Sequence, residues 1–197
     1  SSEVVAGVNG EGGALNQLNR PTGIYVDSSS NIYIADHLNH RIIKYEPGSS
    51  EGLVLAGENG AGNALNQLNR PTDVTLDSSG NLYVADWNNY RIVKWDSGSS
   101  EGVIISSERS WSVDIDAFDN IYGTKYYNAS VIKLTPFDGE YSSEVVAGVN
   151  GEGGALNQLI RPTGIFVDND GNIYVVDSRN YRVIKQQVKP EIEIVAG

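Results

Sequence analysis

Apolar residues in this chain fall in short runs separated by clusters of Ser, Asn, Asp and Gly. Ile24 to Val26, Ile32 to Ala35, Ile42 to Tyr45 and Leu53 to Ala56 are the first four. Short runs rich in Ile, Val and Tyr, bounded by turn residues, predict β-strands. Ile32 to Ala35 is continuously apolar, the pattern of a central strand covered on both faces. "SSSN" before it supplies a tight turn, and Asp36 to Asn39 supplies the next. Helical spacing is absent apart from a turn in Ala14 to Leu18.

The same plan recurs. Its first run closes on Asp27, Asp77, Asp116 and Asp168, at spacings of 50, 39 and 52 residues. "RPTGIYVDSSSNIYIADHLNHRIIKY" begins at Arg20 and "RPTDVTLDSSGNLYVADWNNYRIVKW" at Arg70. "RSWSVDIDAFDNIYGTKYYNASVIKL" begins at Arg109 and "RPTGIFVDNDGNIYVVDSRNYRVIKQ" at Arg161. Four strands in a unit of about 40–50 residues is the signature of a β-propeller blade. The chain is therefore expected to be all-β, a β-propeller with four four-stranded blades in this sequence. Residues 1–19 hold an outer strand and a connection, 20–69 blade 1 and 70–108 blade 2. Residues 109–160 hold a divergent blade 3, and 161–197 hold blade 4 with a terminal outer strand.

The shared letters are "RPTG", then "D-x-x-G-N-[IL]-Y-V-[AV]-D", then "N-x-R-[IV]". They resemble the NHL repeat family. The resemblance runs through all four units and implies a propeller, usually of six blades, within a larger ring or array. It implies far less about function, because the fold carries enzymes, RNA binders and protein-binding scaffolds. Residues 1–27 and 142–168 differ only where Asn19 becomes Ile160 and Tyr25 becomes Phe166, an offset of 141 residues. Three blades thus form a super-unit, and a second one begins. Outer-strand segments start at Glu3, Leu53, Val103, Glu144 and Glu193, one more than the inner triplets require. The surplus strand is expected to pair with another copy of the chain, because an unpaired edge is a template for association.

Charge narrows the partners. The 14 Lys and Arg face 25 Asp and Glu, leaving a net charge of −11. That balance argues against nucleic acid and against an anionic membrane surface, both of which need clustered cations. No apolar run approaches the length of a membrane-spanning helix. The absence of Cys removes disulfides and thiolate chemistry. The first residue is Ser and Met is absent, so a processed product or part of a longer protein is expected.

Blade 3 departs from the plan. Asp36 with Arg41, Asp86 with Arg91 and Asp177 with Arg182 bracket a turn, where blade 3 has Lys125 with Ser130. The two charges change together, which predicts a structural ion pair across the turn in the other blades. The Arg-to-Ser change also makes "NAS" at Asn128 to Ser130, an N-glycosylation sequon on a predicted exposed turn. A glycan on Asn128 is the expectation for a secreted protein, and an ordinary turn Asn is the other reading. "RSWS" replaces "RPTG", and no long connection like "AGENGAGNALNQLN" precedes blade 3. Drift and a specialised contact both stay open for Trp111.

Equivalent turns share one face of a propeller. They carry His37, His40, Trp87, Tyr90, Tyr126 and Tyr181, a candidate face for a ligand, glycan or protein partner. Catalytic signatures are sparse: no G-x-S-x-G nucleophile and no phosphate loop. The resemblance extends to peptide-amidating lyases, with central zinc histidines, but both histidines here lie on one turn. "DNDGN" (Asp168 to Asn172) lacks the rest of an EF-hand loop and aligns with the other turns. Asp73 stands where two other blades have Gly, on an inner strand facing the channel. The expectation is a chain with no catalytic residue, no metal and no cofactor. It would be an extracellular, N-glycosylated, non-catalytic scaffold for protein partners or copies of itself, joined end to end into a filament. The alternatives are a propeller hydrolase or lyase with a channel metal, and an intracellular protein-binding NHL module.

Overall fold

A computed structural model describes residues 2–187. Blade 1 is formed by β1 (Pro21–Val26), β2 (Ile32–Asp36), β3 (Arg41–Tyr45) and β4 (Leu53–Ala56). Blade 2 is formed by β5 (Asp73–Leu76), β6 (Leu82–Asp86), β7 (Arg91–Trp95) and β8 (Val103–Ser106). Blade 3 is formed by β9 (Val113–Ile115), β10 (Ile121–Lys125), β11 (Ser130–Phe137) and β12 (Glu140–Ala147). Blade 4 contributes β13 (Pro162–Val167), β14 (Asn172–Asp177) and β15 (Arg182–Gln187). Strands pair antiparallel in chain order within each blade, the meander of a β-propeller. The expected outer strand at Glu193 lies outside the described residues.

The first hairpin of each blade is closed by its Asp. In blade 1, Asp27 Oδ1 accepts the Ser29 and Asn31 backbone N–H groups, each at 2.9 Å. Its Oδ2 accepts the Asn31 amide at 2.8 Å and the Tyr33 hydroxyl at 3.1 Å. Asp77, Asp116 and Asp168 repeat the arrangement with Asn81 and Tyr83, Asn120 and Tyr122, and Asn172 and Tyr174. The repeated letters D, N and Y are thus one hydrogen-bonded turn. The Asn31 amide holds Asp27 below the usual carboxylate range, and burial beside that carboxylate pushes Tyr33 up to about 12.

Blades pack face to face. Ala35 and Ile42 of blade 1 meet Val74, Val84 and Val93 of blade 2. Ala85 and Ile92 then meet Val113, Ile121 and Ile132, and Val131 meets Val167, Ile173 and Val175. Central strands are therefore covered on both sides, as their unbroken apolar runs predict. The inner strands neighbour one another in the order β1, β5, β9, β13.

The end blades are covered less than the middle ones: blade 4 keeps one face bare, and blade 1 leaves its inner strand bare at Ile24 and Val26. Ile42, Ile92 and Val131 are 0% exposed, whereas Val183 at the same position of blade 4 is 64% exposed. Val74 is 2% exposed, whereas its blade 1 counterpart Ile24 is 65% exposed. Residues 2–7, expected to hold an outer strand that pairs with another copy, form no strand within the single chain. The outer edge of β3 is already taken by β4, and within the single chain this segment does not pair with the outer edge of β15, which is free among the described residues. Ala6 instead packs with Leu18 against Ile34, Ile43 and Tyr45.

Candidate functional site

Pro21, Asp36 and Arg41 lie at one end of blade 1, because Pro21 pairs with Asp36 and Asp36 with Arg41. The approach to each inner strand and the turn between the middle strands thus come out on the same face of the propeller. That turn is a short 3-10 segment, His37–Asn39, followed by His40 in the left-handed region at φ 57°. Tyr90, Ala129 and Tyr181 adopt the same conformation. His40, Tyr90 and Tyr181 lie on the face beside the long connection, whereas Ala129 is buried in the blade 3 core.

The acid–base pairs of this face hold that connection. Arg41 Nε donates to Asp36 Oδ2 at 2.8 Å, and its two other nitrogens donate to the carbonyls of Gly13, Ala14 and Gln17. Asp36 Oδ1 accepts the Asn19 N–H at 2.7 Å. Asn39 bridges Asp36 Oδ2 and the Gly12 carbonyl, both at 2.8 Å. Asp86, Asn89 and Arg91 do the same for residues 62–69, and Asp177, Asn180 and Arg182 for residues 153–160. Asp36, Asp86 and Asp177 are fully buried. Each clamp therefore satisfies the backbone of a loop that has no strand of its own. Six residues, 107–112, join β8 to β9, and blade 3 has no such loop to hold. Loop, Asp and Arg were lost together because they are one device.

Where the clamp is missing, rings fill the face. Trp87 packs edge-on against Trp111 at 4.8 Å and against Tyr126 at 5.8 Å. It stacks with Tyr127 at 5.9 Å, and Tyr126 meets Tyr127 edge-on at 5.0 Å. The Arg109 guanidinium lies 3.8 Å from the Trp87 ring centre and 4.4 Å from that of Tyr90, and its Nε donates to the Trp87 carbonyl at 3.1 Å. Arg161 of blade 4 reaches the Tyr126 ring at 5.6 Å. Lys125 pairs with Glu108 at 2.8 Å. The cluster draws on three consecutive blades. It makes Trp111 part of a contact between blades 2 and 3.

The structure brings together Trp87, Tyr90 and Tyr126 of the six face residues. It adds Trp111, Tyr127, Arg109 and Arg161, which reading turn by turn had missed because they lie on the strand approaches or one residue along. His37 Nδ1 lies 3.1 Å from the Pro71 carbonyl, and His40 Nδ1 accepts the Arg70 N–H at 3.1 Å. Burial lowers both histidines, and both serve local backbone contacts. Tyr181 is exposed at the blade 4 turn. Asn128 is exposed at the blade 3 turn, and Ser130 is buried.

Asp73 is not a lone channel carboxylate. Its Oδ2 accepts the Ser112 hydroxyl and, at 3.1 Å, the Val113 N–H, tying β5 to the start of β9. Burial pushes its carboxyl up to about 6. A Cβ on Gly23 would come within 2.2 Å of Asp73 Oδ1, so blade 1 needs Gly there. Asp114 makes the next link by accepting the Val167 N–H at 2.7 Å. Among the described residues no cluster of three His, Asp or Glu could hold a metal ion. Two cavities, of about 390 and 480 Å³, lie away from the ring cluster.

The NHL repeat model matches residues 18–45, 68–95 and 159–185, the clamp-bearing blades 1, 2 and 4. The chain is an NHL-repeat β-propeller. No curated protein sequence matches it. Among solved structures, the propeller is similar to a streptogramin B lyase, at 13% identity and a TM-score of 0.62 over 87% of this chain and 55% of that one. It is also similar to a catalytically inactive virginiamycin B lyase from Staphylococcus aureus with quinupristin, at 13% identity and a TM-score of 0.54 over 87% and 56%. A protein assigned as a gluconolactonase gives 16% identity and a TM-score of 0.62 over 86% and 64%. The chain thus spans 55% to 64% of the length of these structures, and at such identities the likeness is one of fold. These neighbours correct the expectation of a non-enzyme. The fold occurs in lyases, so too few histidines for a zinc triad and no hydrolase motif do not make this propeller non-catalytic.

Proposed function

We propose that this NHL propeller is an extracellular, N-glycosylated interaction scaffold whose copies join end to end into a filament. One observation carries the reading: the bare face of blade 4 and the bare inner strand of blade 1 belong to the two sides of the contact buried between consecutive blades. Val183 takes the place of Ile42, and Ile24 the place of Val74. Covering such side chains stabilises by roughly 1.5–3 kcal/mol each. The contact is heterologous, so copies joined through it propagate where the rotation from one to the next does not close a ring.

The internal repeat supplies a register. Val145 and Ala147 of β12 pair with Ile132 and Val131. Val4 and Ala6 stand 141 residues before them, and Ile184 and Val183 stand where Ile132 and Val131 do. Residues 3–6 of one copy would lie along β15 of the next, with Val4 opposite Ile184 and Ala6 opposite Val183. The exposed Asn128 turn is a suitable glycan acceptor on a secreted protein.

Light scattering across a concentration series tests the assembly. Wild type grows in mass, while Val183→Glu and Ile24→Glu each stay monomeric. Mixed together, the two variants form dimers only, since each retains one sound face. A wild type that stays monomeric throughout overturns the reading. For the glycan, intact mass of secreted material must fall by one glycan in Asn128→Gln.

A further inference from the structure

The ring cluster answers to a different ligand, independent of end-to-end assembly. Its floor is built: Arg109 is covered by Trp87 and Tyr90, and its Nε is used on a backbone carbonyl. Its surface is open: the Tyr127 ring is 63% exposed, and the Trp111 and Tyr126 rings are half-buried beside it. At the rim, the exposed Arg161 guanidinium lies over Tyr126, with no carboxylate among the described residues paired to it. The neighbouring cation, Lys125, is already neutralised by Glu108. No other blade has this set, because the corresponding turns carry His37 and Leu38 or Ser178 and Arg179.

We propose that Trp111, Tyr126, Tyr127 and Arg161 bind a carboxylated sugar ring of an acidic polysaccharide. The Trp111 and Tyr126 rings lie at 34° to each other, with Tyr127 edge-on to Tyr126, and all three reach the surface, so a ligand resting on Trp111 and Tyr126 keeps one side in water. A pyranose suits that position: its C–H face lies on the rings and its hydroxyls stay hydrated, whereas an aromatic acid would leave an apolar face exposed. The planar guanidinium at the rim takes the ring carboxylate as a bidentate pair. Arg161 is the cation at the rim, Arg109 lying under the Trp87 and Tyr90 rings, and one rim cation suits one carboxylate. It does not suit a nucleic-acid strand, which needs a track of cations for its phosphates.

Trp87 and Trp111 report on the site by fluorescence, and Trp95 is buried in the core between blades 1 and 2. The test titrates oligogalacturonate, its neutral oligogalactose counterpart and polyuridylate into bacterially made chain, which carries no N-glycan. Expected is a saturable fluorescence change with oligogalacturonate, and binding about tenfold weaker for the neutral oligomer, the scale of a charge-assisted hydrogen-bond pair. Arg161→Gln abolishes that preference. Tyr127→Ala weakens both sugars, and circular dichroism shows both variants folded as wild type. No saturable response, equal affinity for the two sugars, an Arg161→Gln variant that keeps the preference, or tighter binding of polyuridylate each overturns the proposal. None of these outcomes bears on the assembly, which is read by mass.

Discussion

Blades 2 and 3 lie side by side and use the same turn in opposite ways. In blade 2, Asp86, Asn89 and Arg91 face inward and carry the backbone of residues 62–69. In blade 3, Lys125 and Ser130 hold no loop, Asn128 faces solvent, and Tyr126 and Tyr127 join a cluster of rings. The difference is set by chain length. A long connection brings backbone carbonyls that only a fixed, multidentate donor can satisfy, and Arg is that donor. Shortening the connection removes the demand and releases the turn for other work.

The clamp gives the sharpest way to break the comparison. Arg91→Ala leaves the fully buried Asp86 without its cation and the Asn63, Ala64 and Gln67 carbonyls without a donor. It is expected to cost about 3–5 kcal/mol in urea unfolding, the range for breaking a buried pair by removing one partner. Lys125→Ala removes the cation at the equivalent blade 3 position, whose partner Glu108 is half-exposed, and is expected to cost less than about 1 kcal/mol. Equal losses would show that the clamp is not what separates the blades.

A second effect links the two blades directly. Asp73 of blade 2 is bonded to Ser112 and Val113 of blade 3, and burial raises its carboxyl from the ordinary 3.8 to about 6. A raised folded-state value means that the folded chain binds this proton more tightly than the unfolded chain. The cost of ionising Asp73 is therefore absent below about pH 4 and fully present above about pH 6. Asp73→Asn should be more stable than wild type by about 2–3 kcal/mol at pH 7.5, with the gain gone at pH 4. Urea melts at the two pH values read this, and a gain that persists at pH 4 would locate the effect in packing.

Much of this was legible in the sequence, for a physical reason. Strand runs and turn clusters recur at each blade, so one reading was repeated four times. Asp36 with Arg41 could be picked out as a pair because blade 3 lacks both. Their true acceptors, such as the Gly13, Ala14 and Gln17 carbonyls, could not, since main-chain oxygens carry no letter. The ring cluster was half seen for a related cause. Trp87 and Tyr126 stand at matching turn positions, whereas Trp111 replaces a strand-start Thr and Arg109 and Arg161 come from the next blades. Contacts across blades depend on how sheets are placed, which periodicity does not encode.

The smallest effect tests the same turn residue in both settings. Asn89 donates to Asp86 at 2.8 Å and to the Gly62 carbonyl at 2.7 Å, so Asn89→Ala takes a donor from the buried Asp86 carboxylate and from a loop carbonyl. The expected cost is about 1–2 kcal/mol. Asn128 has neither acceptor, because Lys125 stands in place of the Asp and no loop passes beneath it. Asn128→Ala should change stability by less than about 0.5 kcal/mol, the usual range for an exposed site. Thermal melts of bacterially made chain compare the two without a sugar in place. If Asn128→Ala were as costly as Asn89→Ala, the turn itself would require Asn, and its presence in blade 3 would owe nothing to modification. A silent Asn128→Ala would show that this turn no longer requires Asn once the Asp and the loop carbonyl are gone.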